Sequence, residues 1–440
     1  MSTTTRRKQN TNGPNETPAE TPARSWAADL GPGLASMASD NDPSGIATYS
    51  LAGAQFGYEM LWLCVLSYPS MVAFQLVASR IASLTGKGLT SNMREHYPRI
   101  FFYLAVARFL IANIFNIAAD AVAMGVAANF LWNGSVPVFA ALSTVLSIVL
   151  QFTVPYPRYA RFVKWLTLAL FAYAGVMIVT QVSWHGVLAG SLVPRLHWSE
   201  HYFSMLMAVL GTTISPYLLF SQASQQVEEL RLDPEHRQSD ECRRKLDVQF
   251  RKVRKDTLIR TAFSNAVGFA IMAATAATLY AYGRDMQHMR DAARVLEPVA
   301  HGYASQVLAL ALIGTALIAL PPLAGSAAHA AAGVFEKENE DSGLSNRRVA
   351  FVLIAVMLLG GALGVSMVCA HVEPLRILYW GALVNGSTAM PVMFMLVLLS
   401  TKHSAVGDLS AHWVLRCLCW LATVCAGASL VSLFVLEWLD

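Results

Sequence analysis

The sequence predicts an all-α, polytopic membrane protein of about eleven transmembrane helices, and three observations carry that prediction. Of its 440 residues, 55% are hydrophobic and only 14% are charged, where soluble domains carry roughly 25% charged residues. Apolar runs of about 20 residues, long enough to cross a bilayer as helix, recur along almost the whole length. Lys and Arg concentrate in every other connection. A soluble chain could not hide so many two-sided apolar helices, and a β-barrel would show short alternating segments instead.

Residues 1–25 are rich in Thr, Asn, Pro, Glu and Arg, without an apolar run or the order of a signal peptide, and read as a disordered cytoplasmic tail. Five spans are then expected at about 26–54, 57–83, 101–131, 136–155 and 160–182. Six more are expected at about 202–230, 257–282, 301–335, 347–369, 374–400 and 412–438. This divides the chain into a block of five at 26–182, a second block of five at 202–400 and an appended helix at 401–440. A basic cytoplasmic loop is expected at 231–256, inside the second block.

Arg6, Arg7, Lys8 and Arg24 precede the first span, and Lys87, Arg94 and Arg99 follow the second. The long connection after the sixth span carries Arg231, Arg237, Arg243, Arg244, Lys245 and further bases to Lys255. The intervening connections hold little beyond Arg195, Arg376 and a few arginines among acids. The positive-inside rule therefore places the N-terminus in the cytoplasm and the C-terminus outside, as expected in a bacterial plasma membrane. The net charge of +4 is placed by topology and implies no nucleic-acid partner. Six cysteines show no metal-ligand spacing and read as helix-packing residues.

Two spans are interrupted. The first contains Asp42-Pro43-Ser44-Gly45, with Asp40 and Asn41 just before it. Pro43 has no amide proton, Gly45 disfavours helix, and Asp42 is an acid at bilayer depth, where ionisable residues are costly and tend to be functional. The sixth contains Gly211-Thr212-Thr213-Ile214-Ser215-Pro216-Tyr217. Each interrupted span opens a block of five, and because five is odd the two blocks enter the membrane from opposite sides. Paired interrupted helices at matching places in inverted halves point to a transporter's midplane site. The arrangement resembles the LeuT fold, a five-plus-five inverted repeat with broken helices 1 and 6.

Gly31-Pro32-Gly33, Asp42-Pro43-Ser44-Gly45 and the Gly211–Tyr217 segment together resemble the Nramp superfamily of divalent-metal transporters, and most closely its magnesium-transporting branch. Ala119-Asp120, Gln222-Ala223-Ser224-Gln225 and Val227-Glu228-Glu229 add to that resemblance. Ordinary Nramps carry Asp-Pro-Gly-Asn in helix 1, and here Gly45 stands where the metal-binding Asn would be. Their helix 6 carries Ala-x-x-Met-Pro-His, and here Thr212, Ser215 and Tyr217 take the Ala, Met and His places.

The resemblance implies Asp42, Gly45, Thr212 and Ser215 as the metal site. A thioether favours soft metals, whereas a hydroxyl is hard and suits Mg²⁺ or Mn²⁺. Losing the Asn and Met side chains widens the site, which suits an ion that keeps several waters. Tyr titrates near ~10, so Tyr217 is a poor substitute for the proton-carrying His of ordinary Nramps.

Asp40, Asp120, Gln222, Tyr217 and Asn385 are candidates for the pathway or the surround of the site. Asp120 reads either as a second acid on the aqueous path or as an interhelical hydrogen-bond partner. Gln222 reads as a site neighbour or as packing against the first span, and Asn385 as a water-binding neighbour or interhelical glue. The expected function is secondary transport of Mg²⁺, with Mn²⁺ also accepted, by alternating access and without proton coupling. The alternatives are a proton-coupled Mn²⁺/Fe²⁺ importer and an ion-coupled amine or amino-acid symporter on the same fold. No nucleophile–base pair, phosphate-binding loop or dinucleotide loop occurs, so no enzyme and no cofactor are expected. The partners expected are the cation and the bilayer, with a monomer as the simplest assembly.

Overall fold

The computed structural model describes residues 41–231, 240–335, 342–402 and 412–439. The tail 1–25, the first part of the first span with Gly31-Pro32-Gly33 and Asp40, and the connection 403–411 lie outside the described residues. No strand occurs among the described residues. The first block comprises α1 (Pro43–Phe56), α2 (Leu61–Thr85), α3 (Leu89–His96), α4 (Arg99–Trp132), α5 (Val136–Thr153), α6 (Tyr156–Thr167) and α7 (Phe171–Val179). A short helix, α8 (Trp184–Leu192), precedes the second interrupted span, which is α9 (Glu200–Thr213) and α10 (Pro216–Arg231). There follow α11 (Asp240–Thr278), α12 (Met289–Arg294), α13 (Glu297–Ala300), α14 (Ala304–Phe335), α15 (Ser342–Cys369), α16 (Pro374–Thr401) and α17 (Trp413–Leu439).

Every expected span thus has its helix, with two differences in extent. The basic segment 231–256, expected as a loop, is helical from Asp240 onward and continues into the membrane span. Its Lys- and Arg-rich turns carry no breaker, so the helix extends into water. The fifth span is divided by a 3₁₀ turn at Leu168–Leu170. After α7 the chain turns by 118° into α8, a helix in the connection expected between the fifth and sixth spans. Among the described residues nine helices are long and apolar enough to cross a membrane, or ten if that bent pair is one span. The shortfall from eleven falls on α1, only 14 residues long where described, and on the divided fifth span.

The interrupted helices form the centre. Within the α9–α10 span 89% of the apolar window is buried, against 17% in α5 and 28% in α15. The outer helices instead expose large apolar side chains such as Phe101, Ile178, Phe351 and Phe434, the surface an integral membrane protein turns to lipid. The cysteines follow the same division: Cys64 and Cys419 are buried, while Cys369 and Cys417 are exposed.

Small residues bring the central helices close, since lipid supplies no hydrophobic drive for helix association. Where α9 crosses α16, a methyl on Gly211 would run into the Ala382 carbonyl and the Gly386 backbone. One on Gly386 would run into the Met207 carbonyl. Gly386→Ala is therefore expected to lower the melting temperature in detergent, a cost of about 1–3 kcal/mol for overpacking. Gly302→Ala, where a methyl meets nothing within 4 Å, should leave the melting temperature unchanged.

Candidate functional site

Pro43 opens α1 as its first helical residue, with its fixed φ suited to that place and no amide to leave unsatisfied. Asp42 is the N-cap, extended at φ −83° and ψ 167°. Its Oδ1 accepts from the Gly45 amide at 2.7 Å, and its main-chain oxygen accepts from Ile46 N at 3.2 Å. The acid that is costly at bilayer depth thus satisfies one of the free first-turn amides of a helix that starts there. Asp42 is buried, with 4% of its surface exposed.

The second interruption is built differently. Pro216 has no N–H, so the helical partner of the Thr212 carbonyl is missing. Ser215 Oγ donates to that carbonyl at 3.1 Å and to the Gly211 carbonyl at 2.9 Å. Asn385 of α16 reaches in from the side, its Nδ2 donating to Gly211 O at 2.7 Å and to Ser215 Oγ at 3.0 Å. One turn earlier, Thr212 and Thr213 both donate their hydroxyls to the Val209 carbonyl, at 3.1 and 2.7 Å.

The two interruptions meet at Gly45. A β-carbon there would lie 3.2 Å from Asp42 Oδ1 and 3.8 Å from Thr212 Cβ. Asp42, Gly45 and Thr212 therefore border one gap, with Ser215 at the break just beyond Thr212. Asn385 resolves as interhelical glue, because its amide protons are spent on the break. Ser215 likewise directs its proton into the break, and its oxygen already accepts from Asn385.

Asp120 belongs to a second, adjoining polar surface. It is fully buried, and neither carboxyl oxygen has a hydrogen-bond partner among the described residues. Both side-chain polar atoms of Asn116, one turn earlier on α4, are equally unpartnered, as is Asn113 Oδ1. Asn41, Ser44 and Thr48 of α1 also have buried polar atoms without partners. Asn116 Oδ1 and Ser44 Oγ each lie 3.4 Å from where a β-carbon on Gly381 of α16 would sit. The surfaces of α1, α4 and α16 thus converge beside Asp42.

Two candidates lie elsewhere. Tyr217 is buried in the apolar cluster that includes Phe109, Phe220, Leu323 and Met393. Gln222 packs on α11: its Nε2 donates to Thr257 Oγ1 at 3.2 Å, and its oxygen accepts from Arg260 at 3.2 Å. A run of polar residues after a proline gives no indication of which neighbour it will face. The side chains of Glu228 and Glu229, like Asp40, lie outside the described residues.

Sequence reasoning missed Tyr49, which is buried two turns past Asp42 and 3.0 Å from Thr213 Oγ1. The signal available was the repeated hydroxyl at Ser44, Thr48, Tyr49 and Ser50 in an otherwise apolar helix. A few turns further out, α1, α9 and α16 border a cavity of about 460 Å³, lined by Gln55, His201, Met205, Glu373 and Tyr379 among others. At its rim His288 pairs with Glu373.

The family model described as natural resistance-associated macrophage protein-like (Nramp) matches residues 33–436. The divalent metal cation transporter MntH of Klebsiella pneumoniae (strain 342) is 27% identical over 299 residues, 66% of this chain and 68% of that protein. The manganese transporter of Eremococcus coleocola, in complex with an aromatic bis-isothiourea substituted compound, has a TM-score of 0.68 at 16% identity. That likeness covers 93% of this chain and 87% of the other. Mhp1, a nucleobase-cation-symport-1 family transporter in a closed conformation, has a TM-score of 0.56 at 13% identity, covering 92% and 91% of the two chains. Such structural likeness establishes the fold, which is the LeuT-like arrangement with interrupted helices 1 and 6. With the family model matching nearly the whole length, the chain belongs to the Nramp family.

Proposed function

We propose that this chain is a secondary carrier of divalent metal cations, Mg²⁺ foremost and Mn²⁺ also, working by alternating access without proton coupling. One observation carries the reading. The buried Asp42 carboxylate stands at the junction of two interrupted helices, beside a glycine and the hydroxyl-bearing residues Thr212 and Ser215. Oxygen donors of this kind are hard ligands. Among the described residues no three His, Cys, Asp or Glu side chains come together to hold a metal. An ion at Asp42 would therefore take the rest of its shell from hydroxyls, carbonyls and water, which suits Mg²⁺ because it gives up its waters reluctantly. The names of the relatives, a divalent metal cation transporter and a manganese transporter, support the substrate class.

In this reading the interrupted helices of the halves 26–182 and 202–400 rock about the junction. The N-terminus is cytoplasmic, the C-terminus external, and a monomer suffices. Tyr217 at the His place leaves the cycle without its usual proton carrier. An interior potential of about −100 mV supplies ~4.6 kcal/mol for a divalent cation moving inward, at ~2.3 per charge, enough to accumulate it without protons.

Purified protein in liposomes, with fluorescent reporters of Mg²⁺ and Mn²⁺, should show uptake that rises with an inside-negative potential. Asp42→Ala should reduce uptake of both ions to the level of empty liposomes. If neither ion crosses, or the variant transports like the wild type, the reading is wrong. An internal pH dye should stay flat during uptake, and acidification in proportion to metal entry would instead indicate proton coupling. Gly45→Asn with Ser215→Met, which adds an amide and a thioether, should shift preference toward softer transition metals.

A further inference from the structure

Tyr49 stands where three central helices meet. Its hydroxyl lies 3.0 Å from Thr213 Oγ1 at the end of α9. The single Thr213 hydroxyl proton goes to the Val209 carbonyl at 2.7 Å, so Tyr49 is the donor in that contact. The result is a directed chain, from the Tyr49 hydroxyl to Thr213 Oγ1 to Val209 O, that ties α1 to the last turn of α9 immediately before the break.

The ring is confined as well as tethered. On one side is Gly268 of α11, where a β-carbon would stand 2.8 Å from ring atoms Cε2 and Cζ, closer than real carbons approach. The same ring atom, Cε2, lies 3.6 Å from where a β-carbon on Gly45 would point. That Gly45 position borders Asp42 Oδ1 and Thr212. Tyr49 therefore joins Asp42 and Thr212 as the third side chain bordering Gly45. A turn away the two helices are also in backbone contact, since a methyl on Gly53 of α1 would run into the Met272 carbonyl of α11, so α11 already lies as close to α1 as the backbones allow.

We propose that Tyr49 is a specificity-determining positioning residue: wedged against Gly268 and tethered to Thr213, its ring sets the width of the gap between Asp42 and Thr212. This rests on the reading of that gap as a divalent-cation site. The room beside Gly45 is then fixed by a residue that need not touch the ion, and the choice between a more and a less hydrated ion depends on the Gly268–Tyr49 contact.

The test is competitive uptake of Mn²⁺ and Mg²⁺ by the full chain in liposomes. Gly268→Ala adds a methyl that must displace the ring edge bordering Gly45. It should raise the Mn²⁺/Mg²⁺ ratio by roughly threefold or more, since Mg²⁺ is the ion that resists losing water. Tyr49→Leu in the Gly268→Ala background removes the displaced ring and should reverse the shift. Tyr49→Phe keeps the ring and removes the tether, and should change the ratio by roughly twofold or more. A purely structural role would slow both ions equally, so an unchanged ratio in Gly268→Ala, with uptake normal or slowed, overturns the inference while leaving the cation reading intact. Should Gly268→Ala fail to fold, an unchanged ratio in Tyr49→Phe overturns it in the same way. A wild type that carries neither ion overturns both.

Discussion

A helix cannot stop in the middle of a bilayer unless the protein itself supplies partners for the backbone groups that the stop sets free, because no lipid atom can. The break between α9 and α10 meets that constraint through one amide. Asn385 Nδ2 bonds both the Gly211 carbonyl and Ser215 Oγ, and Ser215 passes its own proton to the carbonyls of Gly211 and Thr212. A side chain as short as Asn can do this only if α16 lies directly against α9. That closeness in turn requires the glycines at 211 and 386, since either methyl would meet opposing backbone. The close crossing and the tolerated break are one requirement seen from two helices. Asp42 solves the same problem at the start of α1, with a carboxylate in place of a neighbour's amide.

How much of this could be read from the sequence depends on the range of the interaction. Spans are local: twenty apolar residues mark a membrane helix wherever it packs, so each expected span has its helix. Asp42, Pro43 and Ser215-Pro216 were legible for the same reason, because caps and prolines act on their own few residues. Partner choice is not local. Gln222 faces α11, and Asn385 spends its protons on the break, because helix rotation and crossing decide those outcomes. The helical course of 240–256 was hidden by its charge, which marks the membrane boundary but not the end of a helix. Tyr49 was missed because its importance lies in Gly268, more than two hundred residues away, a glycine that looks unremarkable in its own span.

The seam between α1 and α4 differs from the other contacts of the centre. Asn41, Ser44 and Thr48 of α1 and Asn113, Asn116 and Asp120 of α4 carry eight buried polar atoms that have no partner among the described residues. Buried polar groups without partners cost free energy rather than supply it. Among the described residues no hydrogen bond joins α1 to α4, whereas parting α1 from α9 breaks the Tyr49–Thr213 link. If α1 moves during transport, these contacts favour motion with α9 and away from α4 and α16.

Charge at the helix ends decides what kind of ligand the junction suits. The start of a helix carries partial positive charge and its end partial negative charge. Interrupted transporter helices that bind an organic carboxylate do so on free amides at such a start. Here one of those amides, Gly45 N, is already bound by Asp42 Oδ1. An incoming carboxylate would have to displace a carboxylate that the chain itself provides, against its repulsion. A cation meets the opposite situation, because the Asp42 carboxylate offsets the positive start of α1 and attracts the ion. The arrangement that lets α1 begin inside the membrane is thus also the one that argues for a cation as cargo, and against the amino-acid alternative that the shared fold leaves open.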